Sequence, residues 1–497
     1  MNTCRFCRAF FAMFPAANQI KRRNHYIMPA SFMTLFPHVQ NSLEALKIPL
    51  QATAGLAEAT TGLQSLGFGL WKENNHLAFQ LLKRFLPLTT PVNEGDSERL
   101  CDIMHGGAES LLTLTERNIH DNLGRFQRER LAELSFINVF TESVPSQDWE
   151  VEYDDSEVIL DLPSLRLIDI SADVNHKIQN YGVVFAPRAG HHSNIAERVA
   201  LYMRDSGLTR MAIVEQKCAE DIPLHVDGER HYEGFDGQVA QYRKVLEALK
   251  ERTGYAPHLV AVCQPGPLLM STLILYPHLG KTFGSAGSPM HTEAEPGYLT
   301  DFSRMMGEEY MDRLIDLLGY TVPEELPGAG RESWDGRMHV LGFYFLGMDQ
   351  HFKNFRRLLS DLKHGNDEAA QRQISFYHWY NYVQHAPAGF IRDTYKRIFV
   401  KNELIKGTLS VHGRKIGIKN YPESVPIWAI GGSRDDIAPP LQAIGHMDLI
   451  AGVPQKDKLK LICDAGHMGL FRSSRILKEY YSTIAAFILK HSDTKAS

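Results

Sequence analysis

The spacing of apolar residues changes three times along the chain. From about residue 33 to 140 it is helical, with Val39, Leu43, Leu46 and Leu50 on one face, as are Leu77, Leu81 and Phe85. Residues 51–69 are weakly amphipathic and rich in Ala, Thr and Gly, so Gly55, Gly62, Gly67 and Gly69 predict interruptions. Pro87, Pro91 and Asn93-Glu94-Gly95-Asp96 predict a loop before another helix beginning near Ser97. Between Trp149 and Ala186 the period becomes that of strands. Val151, Tyr153, Val158, Leu160 and Leu162 alternate around Asp154-Asp155, which predicts a hairpin there.

Strands and helices then take turns. The apolar run 181–186 ends in Pro187-Arg188-Ala189-Gly190, and a helix is expected at 193–204. A strand at 211–214 precedes a helix at 235–249, where Phe235, Val239, Tyr242, Leu246 and Leu249 share a stripe. Strands at 258–262 and 281–286 follow. This alternation implies a parallel sheet covered on both faces. It then stops, and resumes only at 425–430, with a helix at 440–450, a strand at 458–463 and a helix at 473–490. The interval of roughly 290–420 is mostly helical and aromatic, and reads as a cap inserted into the sheet domain.

Composition narrows the class. At 497 residues there is room for one large domain and a substantial appendage, and a net charge of -5 gives no reason to expect nucleic acid as partner. No uninterrupted apolar run reaches the roughly 18 residues that a transmembrane helix needs. The six cysteines are scattered, which is no disulfide framework and suits a reducing cytoplasm. Cys4 and Cys7 form a C-x-x-C without a second half, so no metal is expected there. The first 43 residues lack Asp and Glu but carry Arg5, Arg8, Lys21, Arg22 and Arg23. They read either as a targeting segment or as the product of a start codon placed upstream of Met28 or Met33; secretion is not expected.

The chemistry centres on Cys263. It stands where strand 258–262 stops, followed by Gln264-Pro265-Gly266 and a stretch, 267–275, that can form a helix. A nucleophile at a strand-to-helix corner is how α/β-hydrolases present their attacking atom at the carboxyl edge of a sheet. A thiol needs a base within hydrogen-bond reach, and the base needs an orienting carboxylate. His467, in Gly466-His467-Met468-Gly469, follows the last predicted strand, and Asp435, in Gly432-Ser433-Arg434-Asp435, follows the one before it. The chain order nucleophile, acid, base is that of this fold. Plainer readings exist: Cys263 as an inert small hydrophobe, His467 as a surface histidine, Asp436 as the acid instead of Asp435. Context favours Cys263, Asp435 and His467, with Cys218 and Cys463 structural.

An oxyanion would need two backbone donors. One is expected from Gln264, near a helix N-terminus, and the second from Arg188 or Ala189 in the loop after strand 181–186. His191 and His192 are expected to cap the next helix or line the pocket rim. Small residues usually stand two before and two after the nucleophile; Ala261 conforms and Pro265 does not. The fold class expected is α/β: an α/β-hydrolase fold with a helical cap insertion and an N-terminal helical extension. Its divisions are a basic N-terminal segment (1–32), a helical region (33–145), the hydrolase domain (146–290 and 421–497) and the cap (291–420).

Val262-Cys263-Gln264-Pro265, Asp435-Asp436-Ile437 and Gly466-His467-x-Gly469-x-Phe471 resemble the intracellular polyhydroxyalkanoate (polyhydroxybutyrate) depolymerases. Ala186-Pro187-Arg188-Ala189-Gly190-His191, Ser288-Pro289-Met290-His291-Thr292 and Phe376-Tyr377 are similar as well, as is the later run from Phe399 to Gly407, so the resemblance spans roughly 180–490. It implies hydrolysis of polymeric 3-hydroxyalkanoate esters in the cytoplasm, on amorphous polymer granules and without a cofactor. Cys263 would be the nucleophile, Asp435 the acid and His467 the base. Related polymer synthases favour Gly on both sides of their cysteine, so Ala261 and Pro265 point to the depolymerase side. The segment 216–235 lacks an expected Trp and 334–346 lacks a Tyr-Pro-Gly, so the reaction class transfers further than the polymer does.

Two other functions compete. A cysteine suits thioester exchange, so a synthase-like or coenzyme A thioester acyltransferase is one. The other is a non-enzymatic granule-associated protein, with the Ala/Leu-rich stretch 39–86 lying on the polymer rather than packed on the hydrolase domain. Retention of all three triad residue types argues against the latter. Phe376, Tyr377, Trp379, Tyr380 and Tyr382 either supply an apolar groove for the chain or form cap core. Association into a homo-oligomer is left open by the sequence.

Overall fold

A computed structural model describes residues 37–89, 94–142, 149–151, 153 and 157–494. Cys4, Cys7, Asp154 and Asp155 lie outside them. The chain forms two compact units. One joins the N-terminal helical region to residues 349–378, and the other holds the rest of the described chain.

In the first unit, helices α1 (Pro37–Thr89) and α2 (Glu94–Thr141) run antiparallel. Lys72 meets Glu116 at 2.9 Å and Gln127 bonds Glu58 at 3.4 Å, the reversed order of an up-and-down pair. Ala54, Ala57 and Leu112 are buried. The predicted interruptions do not occur: α1 continues through Gly55, Gly62, Gly67 and Gly69. Each glycine costs about 1 kcal/mol relative to Ala in a helix, and pairing with α2 offsets that local cost. On the predicted face of Leu77, Leu81 and Phe85, Leu77 is exposed, and the side chains of the other two lie outside the described residues. From 349–378, Phe355 packs on Phe140 at 5.0 Å and on Tyr377 at 4.9 Å, so a stretch expected in the cap shares its core with the N-terminal helices.

The second unit is built on eight strands: β1 (Val158–Asp161), β2 (Leu165–Asp169), β3 (Gly182–Phe185), β4 (Met211–Gln216), β5 (His258–Val262), β6 (Thr282–Ala286), β7 (Ile427–Gly432) and β8 (Lys458–Cys463). Their order is β1-β2-β4-β3-β5-β6-β7-β8. The first two strands are antiparallel and the other six are parallel to one another. β3 and β5 are buried along their whole length, which is why they read as continuous apolar runs and not as alternations. The hairpin lies one strand later than predicted. Leu162 N–H bonds Leu165 O at 2.9 Å, β1 pairs with β2, and Val151 and Tyr153 are in no strand. Burial decides this, because Leu165, Leu167 and Ile168 of β2 are in the core.

The predicted helices after β3 and β4 form. The first opens with a 3-10 turn, Ser193–Ala196, before its α-helical part, Glu197–Asp205. The second, α3 (Phe235–Thr253), ends at Gly254, whose φ of 80° gives the left-handed C-cap. Between β6 and β7 come seven further α-helices, a small three-stranded sheet of residues 320–321, 332–334 and 386–387, and a two-stranded one of residues 409–411 and 414–416. Among the described residues no helix is long and apolar enough to cross a membrane.

Candidate active site

β5 ends at Val262 and the chain turns sharply at Cys263, whose φ is +64°. Only glycine adopts that region freely, so a cysteine there stores about 1–3 kcal/mol of local strain. The corner is pinned to the neighbouring strand by Cys263 N–H donating to Ala286 O at 2.9 Å. Helix α4 (Pro265–Leu275) begins at once, with Pro265 as its first residue. A proline costs nothing at that position, since its missing N–H would have no partner and its φ suits a helix. This accounts for the departure from a small residue two places on. The close approach falls one residue later: a Cβ on Gly266 would lie 2.6 Å from Ser288 Cβ.

The loops after β7 and β8 are tied together by Ser433 N–H to Cys463 O at 2.8 Å and Arg434 N–H to Ala465 O at 3.0 Å. These bonds set Asp435 against His467. Asp435 Oδ2 accepts from His467 Nδ1 at 2.7 Å, while Oδ1 accepts the N–H groups of Ile437 at 3.0 Å and Ala438 at 2.9 Å. The other ring nitrogen, Nε2, is 3.2 Å from Cys263 Sγ. The structure thus brings Cys263, Asp435 and His467 into one hydrogen-bonded row. Asp436 is not in it; burial raises its carboxyl above the ordinary value. Burial of the His467 ring disfavours its charge, but the Asp435 carboxylate and the Cys263 sulfur, with the hydrogen bonds to both, outweigh that and hold the imidazolium well above its usual range. Cys218 and Cys463 are different: burial pushes their thiols up to about 12 and about 11, which disfavours the thiolate at both.

The backbone donors are arranged around Gln264. Its side-chain Oε1 accepts the Arg188 N–H at 2.9 Å. The Arg188 side chain is buried, and its Nη2 donates to Ser164 O at 2.9 Å and to Gln216 Oε1 at 2.8 Å. So the loop after β3 is anchored by the Arg188 side chain and clipped to the Cys263 corner, and the Arg188 amide is used by that clip. The amides of Gln264 and Ala189 have no acceptor among the described residues.

His192 caps the 3-10 turn, its side chain accepting from Asn194 N at 3.3 Å. His191 stacks between Trp379, 4.8 Å away, and Phe343, 5.6 Å away. Trp379 and Tyr380 are buried, so they act as packing, as does Tyr377 in the other unit. One residue that the sequence did not single out is Gly287. At φ +53°, a Cβ there would meet Leu470 at 2.9 Å and His467 Cε1 at 3.3 Å. Its signal was a glycine directly after a strand.

Strand order, a strained corner at Cys263 after β5, and the loops after β7 and β8 that carry Asp435 and His467 define an α/β-hydrolase fold. Residues 287–492 match the family model described as PHB de-polymerase C-terminus. No curated protein matches the chain. Similar solved structures include a monoglyceride lipase from Saccharomyces cerevisiae, 12% identical over 71% of this chain and 97% of its own, with a TM-score of 0.41. Another is the monoacylglycerol lipase of Paleococcus ferrophilus, 14% identical over 66% of this chain and 99% of its own, with a TM-score of 0.37. At such scores the fold rests on the strand order itself. Family and fold together support ester hydrolysis.

Proposed function

We propose that this protein hydrolyses 3-hydroxybutyrate-type polyhydroxyalkanoate esters in amorphous granules within the cytoplasm, through an acyl-enzyme on Cys263. The row Asp435–His467–Cys263, with contacts of 2.7 and 3.2 Å at a strained corner, is the observation that carries the reading. Cys263 Sγ gives its proton to His467 Nε2 and attacks the ester carbonyl carbon. The resulting oxyanion is received by the N–H groups of Gln264 and Ala189, with Arg188 holding their loop in place. As the C–O bond breaks, the imidazolium returns its proton to the departing alkoxide, which leaves as a hydroxyl chain end. Water then attacks the thioester, gives a proton to His467, and releases the carboxyl product and the thiol. Asp435 keeps Nδ1 protonated and Nε2 turned to the sulfur throughout. No cofactor takes part in these steps.

Purified protein incubated with amorphous poly(3-hydroxybutyrate) granules is expected to release 3-hydroxybutyrate or its oligomers, and a Cys263→Ala variant is expected to release none. Product release by that variant overturns the mechanism. Polymer growth from 3-hydroxybutyryl coenzyme A, without hydrolysis, replaces it with acyl transfer.

A further inference from the structure

Helix α1 has two apolar faces. Ala54 and Ala57 lie on the buried side; on the opposite side of the wheel stand Leu56, Leu63, Leu70 and Leu77, seven residues apart, with Leu66 between them. These five leucines are 55% to 71% exposed. From Leu56 to Leu70, before Glu73 and Asn74 interrupt the face, they form a line about 21 Å long at 1.5 Å per residue. A continuous apolar strip of this size on a folded protein marks a binding surface.

Its chemistry says which partner it fits. Residues 48–71 hold one charged side chain, Glu58, and no Lys or Arg. The positions flanking the strip include Ala59, Thr60, Gly62 and Gly67. A second copy packed helix to helix would draw its register from charges beside the seam, and beside Leu56–Leu70 there are none, since Lys72 and Glu73 stand past its end. An anionic bilayer selects helices with Lys and Arg along the polar margin, and these are missing too. A polyester surface is neutral, apolar and uniform, and demands neither register nor charge. Resting on the proposed substrate, we infer that the Leu56–Leu70 face of α1 docks the protein on the uncharged polymer surface, through residues other than those that cleave.

The test uses the full-length chain carrying Leu63→Gln, Leu66→Gln and Leu70→Gln together. Two readouts are kept separate: co-sedimentation with amorphous poly(3-hydroxybutyrate) particles, and cleavage of a soluble 3-hydroxybutyrate trimer. The bound-to-free ratio on particles is expected to fall about ten-fold or more, as re-exposure of several leucines requires, with trimer cleavage unchanged. Unchanged particle binding overturns the docking face whatever happens to the trimer. Failure of the unsubstituted protein to cleave the trimer speaks against the hydrolase reading alone. Loss of a dimer in sedimentation velocity, with particle binding intact, overturns the inference in favour of a second copy; binding to phosphatidylserine vesicles in place of particles overturns it in favour of a bilayer. If the triple variant loses helical signal in circular dichroism, Leu63→Gln and Leu70→Gln singly are each expected to lower particle binding about three-fold, and no change in either overturns it.

Discussion

Helices α4 and α1 are both rich in leucine and small residues, yet they meet opposite fates. Every residue of α4 from Pro265 to Leu275 is buried. In α1, 53 residues long, Ala54 and Ala57 are the buried ones among the described side chains. The difference comes from surroundings and not from composition. α4 leaves the central strand of a sheet and is wrapped on all sides, whereas α1 pairs along one face and leaves the other to solvent. The first arrangement fixes the strained corner at Cys263; the second leaves apolar surface available.

Substitutions can break or sharpen that contrast. The largest effect is expected at the corner that α4 supports, where Cys263→Ala should lower kcat about 10⁴-fold or more, measured on a soluble ester. Asp435→Asn should cost about 10³-fold in kcat and move the alkaline limb of kcat/KM to lower pH. The sign follows from His467. Its value is raised chiefly against the pull of burial, by Asp435 and Cys263, so activity that needs the imidazolium persists below that raised value and falls as pH climbs through it. Losing the carboxylate lets burial draw the value down. Stability runs the same way: the contribution of the Asp435–His467 pair is full below the ordinary His value of 6.5 and is lost as pH rises through the raised one.

Packing separates the helices next. Leu268→Ala in α4 should destabilise the fold by about 2–5 kcal/mol, while Leu63→Ala in α1 should stay within about 0.5 kcal/mol; urea unfolding measures both. The smallest effect carries the sharpest contrast of sign. At Gly62 an added Cβ meets nothing within 4 Å, so Gly62→Ala should stabilise by about 0.5–1 kcal/mol. At Gly287 the same change meets positive φ and Leu470 at 2.9 Å, so Gly287→Ala should lower both Tm and kcat.

These contrasts also explain what the sequence could reveal. The spans of β5 and β8 were readable to the residue, because β5 is an apolar run that stops at Cys263, and β8 starts as an alternation of Lys and Leu and stops at Asp464. Cys263, Asp435 and His467 could be placed near one another since each stands just past a strand at the same edge of the sheet. The hairpin was misread because alternation locates a strand but not its partner, and β2 shows its buried face only once paired. The glycines of α1 misled because local propensity was outweighed by pairing with α2. Residues 349–378 carry no mark of which core they join. That the Arg188 amide is engaged was beyond sequence, because it depends on where the Gln264 side chain reaches.

The left-handed turn at Cys263 has a further consequence. The residue we propose as the nucleophile is also one that its own backbone would rather replace with glycine. Selection for a sturdier chain and selection for a working one therefore pull against each other at a single position, and the sulfur survives there only for as long as its chemistry is needed.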